Sequence, residues 1–494
     1  MTIQINKKDR RIFKTLLAVA EANDITLRVA GGYVRDLILG NESNDIDIAI
    51  DKMSGLEFAN KVAEYLGREA DVHVVNANPE QSKHLETAIL YINNQEIQFC
   101  GFRKEVYNNT RIPQVEVGTI QDDCLRRDFT INSLYYNLNT QQVEDLTGLG
   151  TKDLQEGIIR TPLPPKQTFL DDPLRILRCV RFATRFNYTI QADIIEAIRD
   201  PQILTAFENK VSRERIEIEM RKIITGNNPV KAIRLLSDFG LLYSIFKFPE
   251  GYVDWNLDQK TPHHQLNVFD HTLEALSNLQ KIFTKYLPDV NADDKLVVNI
   301  ALLFHDLGKL NKKCWGQKVK DGKERRTYYN HEKHSLEATE YILKSLAGFS
   351  TKEIAQIKKI ISGSSMVNPN YTSDNSECNL SRKGLCKFIR FCGHDWKNCI
   401  IVNMADASAK KKDNLENMTF IYHSSMINKI LEINPQSIIN LKPLIDGDKV
   451  FEIIGGKKDK RISEVLNRLL EYQFSHPKAG VKEAINFVKS FRQF

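Results

Sequence analysis

Two aspartates, one residue apart, carry the first chemistry in this chain. In the run NDIDIAI, Asp45 and Asp47 fall on one face of a strand, and Ile46, Ile48 and Ile50 on the other, because strand side chains alternate. Carboxylates placed side by side repel each other unless a cation lies between them. Hard oxygen ligands suit Mg²⁺, which is held by one or two carboxylates together with substrate phosphates. Shortly upstream, a β-type run from Leu27 to Ala30 meets Gly31-Gly32, and a helical pattern starts near Tyr33. Glycine permits the turn and lets a phosphate approach the main chain, where the N–H groups of a helix start face it. The chemistry expected is phosphoryl transfer at a metal centre that activates a hydroxyl and stabilises the leaving phosphates.

A second constellation lies in FDHTLEAL, ALLFHDLGKL, YYNHEKHSLEATEYI and VNMADASA. Its candidate ligands are His271, His305, Asp306, His331 and Asp406, with His334 as a further candidate. An adjacent His and Asp on an apolar helix need partners, and one divalent metal satisfies both. Imidazole with carboxylate suits several transition metals or Mg²⁺, so the ion stays open. His331 and His334, at i and i+3, share a helix face, as ligands for a second metal would. Lys309 either neutralises phosphate charge or is a solvated lysine.

These residues need elements to position them. A chain of 494 residues holds two to four compact domains. Residues 1 to about 155 alternate short β-type runs (RVAGG, DIDIAI, DVHVVNA, TAILYI, EIQFCGF) with helical ones, as an α/β domain does. From 156 to 250 the pattern is amphipathic helix, and in DDPLRILRCVRFATRF the residues Leu174, Leu177, Val180 and Phe182 share one face. A Pro-, Gly- and polar-rich stretch marks a boundary near 250–262. Helical patterns fill 262–425, broken by a loop at 365–380, and a helical tail occupies 435–494. The expected architecture is an α/β N-terminal domain, a mixed sheet flanked by helices, followed by an all-α body.

No apolar run approaches the roughly 20 residues that span a bilayer, and the N-terminus lacks the apolar core of a signal peptide. It is basic, yet Asp9, Glu21 and Asp24 argue against a mitochondrial presequence, so the expected location is cytoplasmic. Eight scattered cysteines without a CxxC pair fit a reducing compartment and argue against a thiolate zinc site. A net charge of +6 is small for this length, so only local clusters speak for a polyanionic partner. Lys457, Lys458, Lys460 and Arg461, at a glycine turn entering a helix, form one such cluster; they read as a phosphate-backbone contact or as a solvated helix entrance. The basic stretch KKCWGQKVKDGKERRTYY reads as a loop rather than a binding platform.

The motif GGxVRDxxLG followed by DxD resembles the first motif of the class II tRNA nucleotidyltransferase and bacterial poly(A) polymerase family. The likeness runs in order from about Arg28 to about residue 240. LRRDFTINSL resembles the family's RRDxxxN motif, which implies that Arg126, Arg127, Asp128 and Asn132 bind the nucleoside triphosphate; Gly31, Gly32 and Arg35 belong to the same implied set. VEDLTGLGTKDLQEG, with Asp145 and Asp153, resembles the motif closing the catalytic domain, and VSRERIEIEMRKIITG, with Arg213 and Glu214, the neck helix. LDDPLR matches the motif in which an Asp and an Arg present hydrogen-bonding edges to the incoming base, here Asp172 and Arg175. An Asp accepts from the exocyclic amine that C and A carry and that U and G lack at the same edge. The resemblance implies addition of C, C and A to tRNA from CTP and ATP, with Mg²⁺ held by Asp45 and Asp47. The H…HD…H…D arrangement is similar to the HD phosphohydrolase superfamily, which implies a metal-dependent phosphatase or cyclic phosphodiesterase acting on RNA 3′ ends. The C-terminal LIDGDKVFEIIG resembles the tail of bacterial tRNA nucleotidyltransferases and implies RNA contact.

Two departures stand out. Asp171 replaces the Glu that usually precedes the base-reading Asp. Gln98 occupies the position where many relatives place a third metal-binding carboxylate; Glu96, two residues away on the same strand face, could partly substitute. Poly(A) synthesis and partial CC or A addition fit the same motifs. A protein uridylyltransferase joined to an HD domain is the alternative of another class, disfavoured by the RRDxxxN and DDxxR runs. A non-catalytic RNA-binding scaffold is the last alternative, and Gln98 is its best argument.

Overall fold

A computed structural model describes residues 3–67, 72–75, 87–106, 114–259, 266–320, 323–367, 377–410, 415–455 and 460–492. The chain divides into two compact units, Met1–Lys247 with Leu346–Gly348, and Phe248–Ser345 with Phe349–Phe494.

The first unit is built on strands β1 (Leu27–Ala30), β2 (Ile46–Ile50), β3 (Val72–Val75), β4 (Thr87–Ile92), β5 (Gln95–Gly101), β6 (Arg103–Val106), β7 (Gln114–Val117), β8 (Leu134–Asn137) and β9 (Gln142–Asp145). Seven of them form one mixed sheet in the order β3-β4-β5-β2-β1-β8-β9, while β6 and β7 pair separately. The alternation in NDIDIAI is realised: Ile46, Ile48 and Ile50 are each 1% exposed, whereas Asp45 and Asp47 are open. β2 runs antiparallel to β1 and parallel to β5, in a register that sets Asp47 beside Gln98. Strands β8 and β9 were not legible as β runs. All four residues of β8 are buried, so its sequence shows no polar–apolar alternation.

Helices α1 (Lys7–Ala22), α2 (Gly32–Ile38), α3 (Gly55–Tyr65), α4 (Ile120–Leu125), α5 (Gly150–Glu156), α6 (Pro165–Asp171) and α7 (Arg175–Arg185) complete the part that positions the site. Helix α3 starts where Ser54 Oγ accepts from the Glu57 N–H. It lies directly on β5, because a Cβ on Gly55 would stand 2.2 Å from the Phe99 carbonyl oxygen. Helix α4 is held by a capping box between Thr119 and Asp122. In α7 the apolar stripe read from the sequence is buried through Leu177, Val180 and Phe182, with Leu174 at its N-cap.

The second unit is largely helical. Its helices include Val268–Tyr286, Ala292–Phe304, His331–Ser345, Thr351–Ser365 and Trp396–Ser408. The basic stretch expected as a loop is instead an antiparallel hairpin, with Trp315–Lys320 paired to Lys323–Tyr328. Its lysines and arginines mask the strand signal, and the Arg326 guanidinium lies 4.2 Å over the Trp315 ring. Part of the expected 365–380 loop lies outside the described residues. The tail helices Gly447–Ile454, Lys460–Ser475 and Val481–Lys489 close around Val450, Leu469 and Val488. Among the described residues no helix is long and apolar enough to cross a membrane.

Candidate active site

The interior strands β1, β2, β4 and β5 of the large sheet and the helices after it line a cavity of about 1150 Å³ in the first unit. Asp45, Asp47, Glu96 and Gln98 share one wall of it. Asp47 opens on the cavity yet lies deep between its walls. Loss of bulk water raises its carboxyl above the ordinary value; Arg127 opposes this, and Asp45 and Glu96 add to it. A carboxyl raised in this way, on one wall with two further carboxylates, fits a divalent cation, which would relieve the repulsion.

The neighbouring wall carries the arginine pair at the end of α4. Asp123 organises both. Arg126 Nε donates to Asp123 Oδ1 at 2.9 Å, and Arg127 Nη2 to Oδ2 at 3.0 Å, while the Tyr135 hydroxyl donates to Oδ2 at 2.6 Å. Asp123 therefore stays far below the usual carboxylate range: burial opposes the charge, and Arg127 and Arg126 outweigh burial. Arg127 also donates to the Asn132 carbonyl at 3.1 Å and lies 5.0 Å over the Tyr135 ring. Gly31 makes this possible. It adopts φ +65°, and a Cβ there would stand 2.6 Å from Arg127 Nη1.

Asp128 and Asn132 form the next group. Asn132 Nδ2 donates to Asp128 Oδ1 at 2.9 Å, and Arg178 Nε donates to Oδ2 at 2.7 Å. Burial opposes the Asp128 charge, but Arg178 and Asn132 hold its carboxyl down at about 2. Arg35 is buried, donates to Asn132 Oδ1 and to Asp36, and stacks on Phe182 and Phe186. It fixes Asn132 from behind.

Asp172, just past α6, accepts from Arg215 Nη2 at 2.7 Å and from the Leu174 N–H at 3.2 Å. Burial opposes its charge, and Arg215 followed by Arg175 keeps the carboxyl below its ordinary value. Arg175 donates to the Thr168 carbonyl at 3.3 Å and to the Arg126 carbonyl at 2.6 Å, so it ties the start of α7 to the arginine pair. Asp45, Asp47, Arg126, Arg127, Asp128, Asn132, Asp172 and Arg175 all line this one cavity.

Sequence reasoning missed Asp123, Arg178, Arg215 and Glu219. Asp123 had a signal, since it stands three and four residues before Arg126 and Arg127. Glu219 meets Arg181 Nε at 2.6 Å across two helices, which no local spacing announces. Asp145 and Asp153 are structural. Asp145 accepts from the Thr151 N–H and hydroxyl, and Asp153 from the Thr130 hydroxyl.

In the second unit, one ligand atom from each of His271, His305, Asp306 and Asp406 lies within 4.8 Å of all the others. His271 Nε2 is 2.8 Å and His305 Nε2 3.3 Å from Asp406 Oδ1. His331 Nε2 stands 3.7 Å from Asp306 Oδ1. The Nδ1 atoms of His305 and His331 lie 2.6 and 3.0 Å from the Leu302 and Tyr328 carbonyls, which orients both Nε2 atoms inward. Lys309 Nζ meets Asp306 at 2.6 Å and is a buried ion-pair partner, not a solvated lysine. His334 turns to Glu337 at 3.0 Å instead. The donor set of two imidazoles and two carboxylates fits a divalent metal.

Lys460 and Arg461 sit at the exposed start of a tail helix, and Lys457 and Lys458 lie outside the described residues. Of the isolated histidines, His423 is buried between the Thr419 carbonyl and Asn403, and burial pushes it down to about 4.

Paired carboxylates on a strand, two arginines beside them and a mixed sheet define a nucleotidyltransferase. The family model described as the poly A polymerase head domain matches residues 27–160, and that of the probable RNA and SrmB-binding site of polymerase A matches residues 187–251. The mitochondrial CCA tRNA nucleotidyltransferase of Candida glabrata is 33% identical over 99% of this chain and 96% of its own length. The tRNA nucleotidyltransferase cca2 of Schizosaccharomyces pombe is 30% identical over 99% of both. A crystal structure of the Bacillus stearothermophilus CCA-adding enzyme in complex with CTP shares the fold, with a TM-score of 0.65 over 99% of this chain and 98% of that one at 16% identity. The chain belongs to the CCA tRNA nucleotidyltransferase family.

Proposed function

We propose that this protein adds C, C and A to the 3′ end of tRNA from CTP and ATP. The RNA 3′-hydroxyl oxygen bonds to the α-phosphorus, and pyrophosphate leaves with the electrons of the broken P–O bond. The observation that carries the reading is one cavity lined by the Asp45–Asp47 pair, the Arg126–Arg127 pair and the Asp172 carboxylate. Mg²⁺ held by Asp45 and Asp47 would lower the pKa of the attacking hydroxyl and offset the phosphate charge. Arg126 and Arg127, fixed by Asp123, offer guanidinium forks to the triphosphate. Asp128 and Asn132 offer polar groups to the sugar, and Asp172 accepts from the amine of C or A. The relatives that match over nearly the whole chain carry names of CCA and tRNA nucleotidyltransferases, which favours this reading over poly(A) synthesis. Extension of a tRNA lacking its CCA end, with CTP and ATP singly and together, tests it. C, C and one A followed by a stop is expected; a long A tract would replace it with poly(A) synthesis.

A second activity is supported by the His271, His305, Asp306 and Asp406 cluster. We read it as a metal-dependent phosphohydrolase centre for phosphomonoesters or 2′,3′-cyclic phosphates at RNA 3′ ends. A metal there would supply a hydroxide and polarise the phosphoryl group. RNA contact by the tail, through Lys460 and Arg461, and the four-part division of the chain belong to the same proposal. So does a cytoplasmic site of action. The Candida relative's name places that protein in mitochondria, and cell fractionation decides between the two compartments for this one.

A further inference from the structure

We propose that Arg215 is a positioning residue for base selection, acting by fixing Asp172 as an obligate acceptor. The inference rests on the reading of Asp172 as the base-reading group, and it deepens that reading.

Asp172 discriminates only while its carboxylate is held and ionised. A rotating or protonated carboxyl would donate to the carbonyl that U and G present, and the preference for an amine would be lost. Arg215 prevents both. Its Nη2 stands 2.7 Å from Asp172 Oδ2, while the Leu174 N–H holds Oδ1 at 3.2 Å. One lone pair on each oxygen remains for an incoming amine. Arg175, the other residue expected to read the base, has its two terminal nitrogens on the Thr168 and Arg126 carbonyls. Asp172 therefore takes its side-chain anchor from Arg215, on the first turn of the helix Arg213–Ile224.

Two further observations separate Arg215 from an ordinary structural arginine. It lines the same cavity as Asp47 and Arg127. It is only 7% exposed, and its Nε has no hydrogen-bond partner among the described residues. A buried donor left unmatched is costly, and a fold that needed only packing here would be better served by an apolar side chain.

The test is steady-state incorporation of each of the four nucleotides into tRNA ending before CCA, or in CC, by the full chain and by Arg215→Met, Arg215→Lys and Asp172→Asn. Loss of the Nη2 contact to Asp172 should narrow the CTP/UTP and ATP/GTP ratios of kcat/KM by about tenfold in R215M. R215K, which keeps the charge but not the planar guanidinium that places Nη2, should fall between R215M and the parent. Adding R215M to D172N should narrow the ratios no further, because both act through one carboxylate. Ratios unchanged in R215M while all four rates fall together would make Arg215 structural and overturn the proposal. If R215M does not fold, R215K carries the same test. A parent protein that shows no preference for CTP and ATP would instead remove the reading of Asp172 itself.

Discussion

Gln98 donates its side-chain amide to Glu96: Nε2 stands 3.1 Å from Oε1, and the Tyr91 hydroxyl donates to the other oxygen at 2.7 Å. The strand position beside Asp47 is thus filled by an amide that steadies the next carboxylate along the same face. Glu96 also shares a cavity wall with Asp45 and Asp47 and bears on the Asp47 charge. A third carboxylate is present, displaced by two residues. Glu96→Gln should weaken Mn²⁺ binding, followed by the loss of free-ion EPR signal, by about 10-fold or more. Gln98→Ala should weaken it less, and equal affinity in Glu96→Gln and the parent would leave Glu96 without a metal role.

Gly31 holds a place that no side chain can take. Its φ of +65° is strained for other residues, and a Cβ would press on Arg127 Nη1 at 2.6 Å. Gly31→Ala should push Arg127 out of its position on Asp123 and Asn132. The expected result is a rise in KM for CTP and ATP of about tenfold or more, with melting lowered by only a few degrees. An unchanged KM would show that the arginine relaxes freely.

The parts of the site set by local periodicity were readable in advance. Asp45 and Asp47 follow from strand alternation, and the buried face of α7 follows from helical spacing. The Asp172–Arg215 and Arg181–Glu219 pairs were not readable, because they join residues on separate helices and no pattern in either segment refers to the other. Strand β8 was hidden for another reason: buried throughout, it has no polar face to betray its period. Helical spacing also placed His334 on one face with His331, yet its side chain turns to Glu337, because sharing a face fixes direction only to within a broad arc.

Asp128 makes stability depend on pH. Its carboxyl is held at about 2 in the fold, below its unfolded value of about 3.9, because Arg178 and Asn132 outweigh the effect of burial. A depressed folded value means that the unfolded chain binds the proton more readily. The contribution is therefore complete above about pH 5 and is lost as pH falls through about 2, and it amounts to about 2 kcal/mol. Asp128→Asn should lower stability at pH 7 and flatten its decline between pH 5 and 3. Urea unfolding across that range checks this, and parallel curves for the two proteins would contradict it.

His305 and Asp306 lie in a different compact unit from Asp45 and Asp47, so the two chemistries should separate cleanly. His305 Nε2 is 3.3 Å from Asp406 and 3.5 Å from Asp306, which puts it between the two carboxylates of the cluster. His305→Ala removes the imidazole that lies between them and leaves the buried Asp306 and the half-buried Asp406 without it. Transition-metal affinity, measured by calorimetry after chelation and dialysis, should fall by about 100-fold or more, and ring-opening hydrolysis of a 2′,3′-cyclic nucleotide to its monophosphate should fall with it. Addition of C and A to tRNA should be unaffected, since no atom of His305 belongs to the cavity that holds Asp45 and Asp47. The reverse pattern is expected of Asp47→Ala, which should end nucleotide addition and spare hydrolysis. Cyclic-phosphate hydrolysis that survives in His305→Ala would place that activity outside the cluster, and loss of nucleotide addition in the same variant would show that the two centres depend on each other.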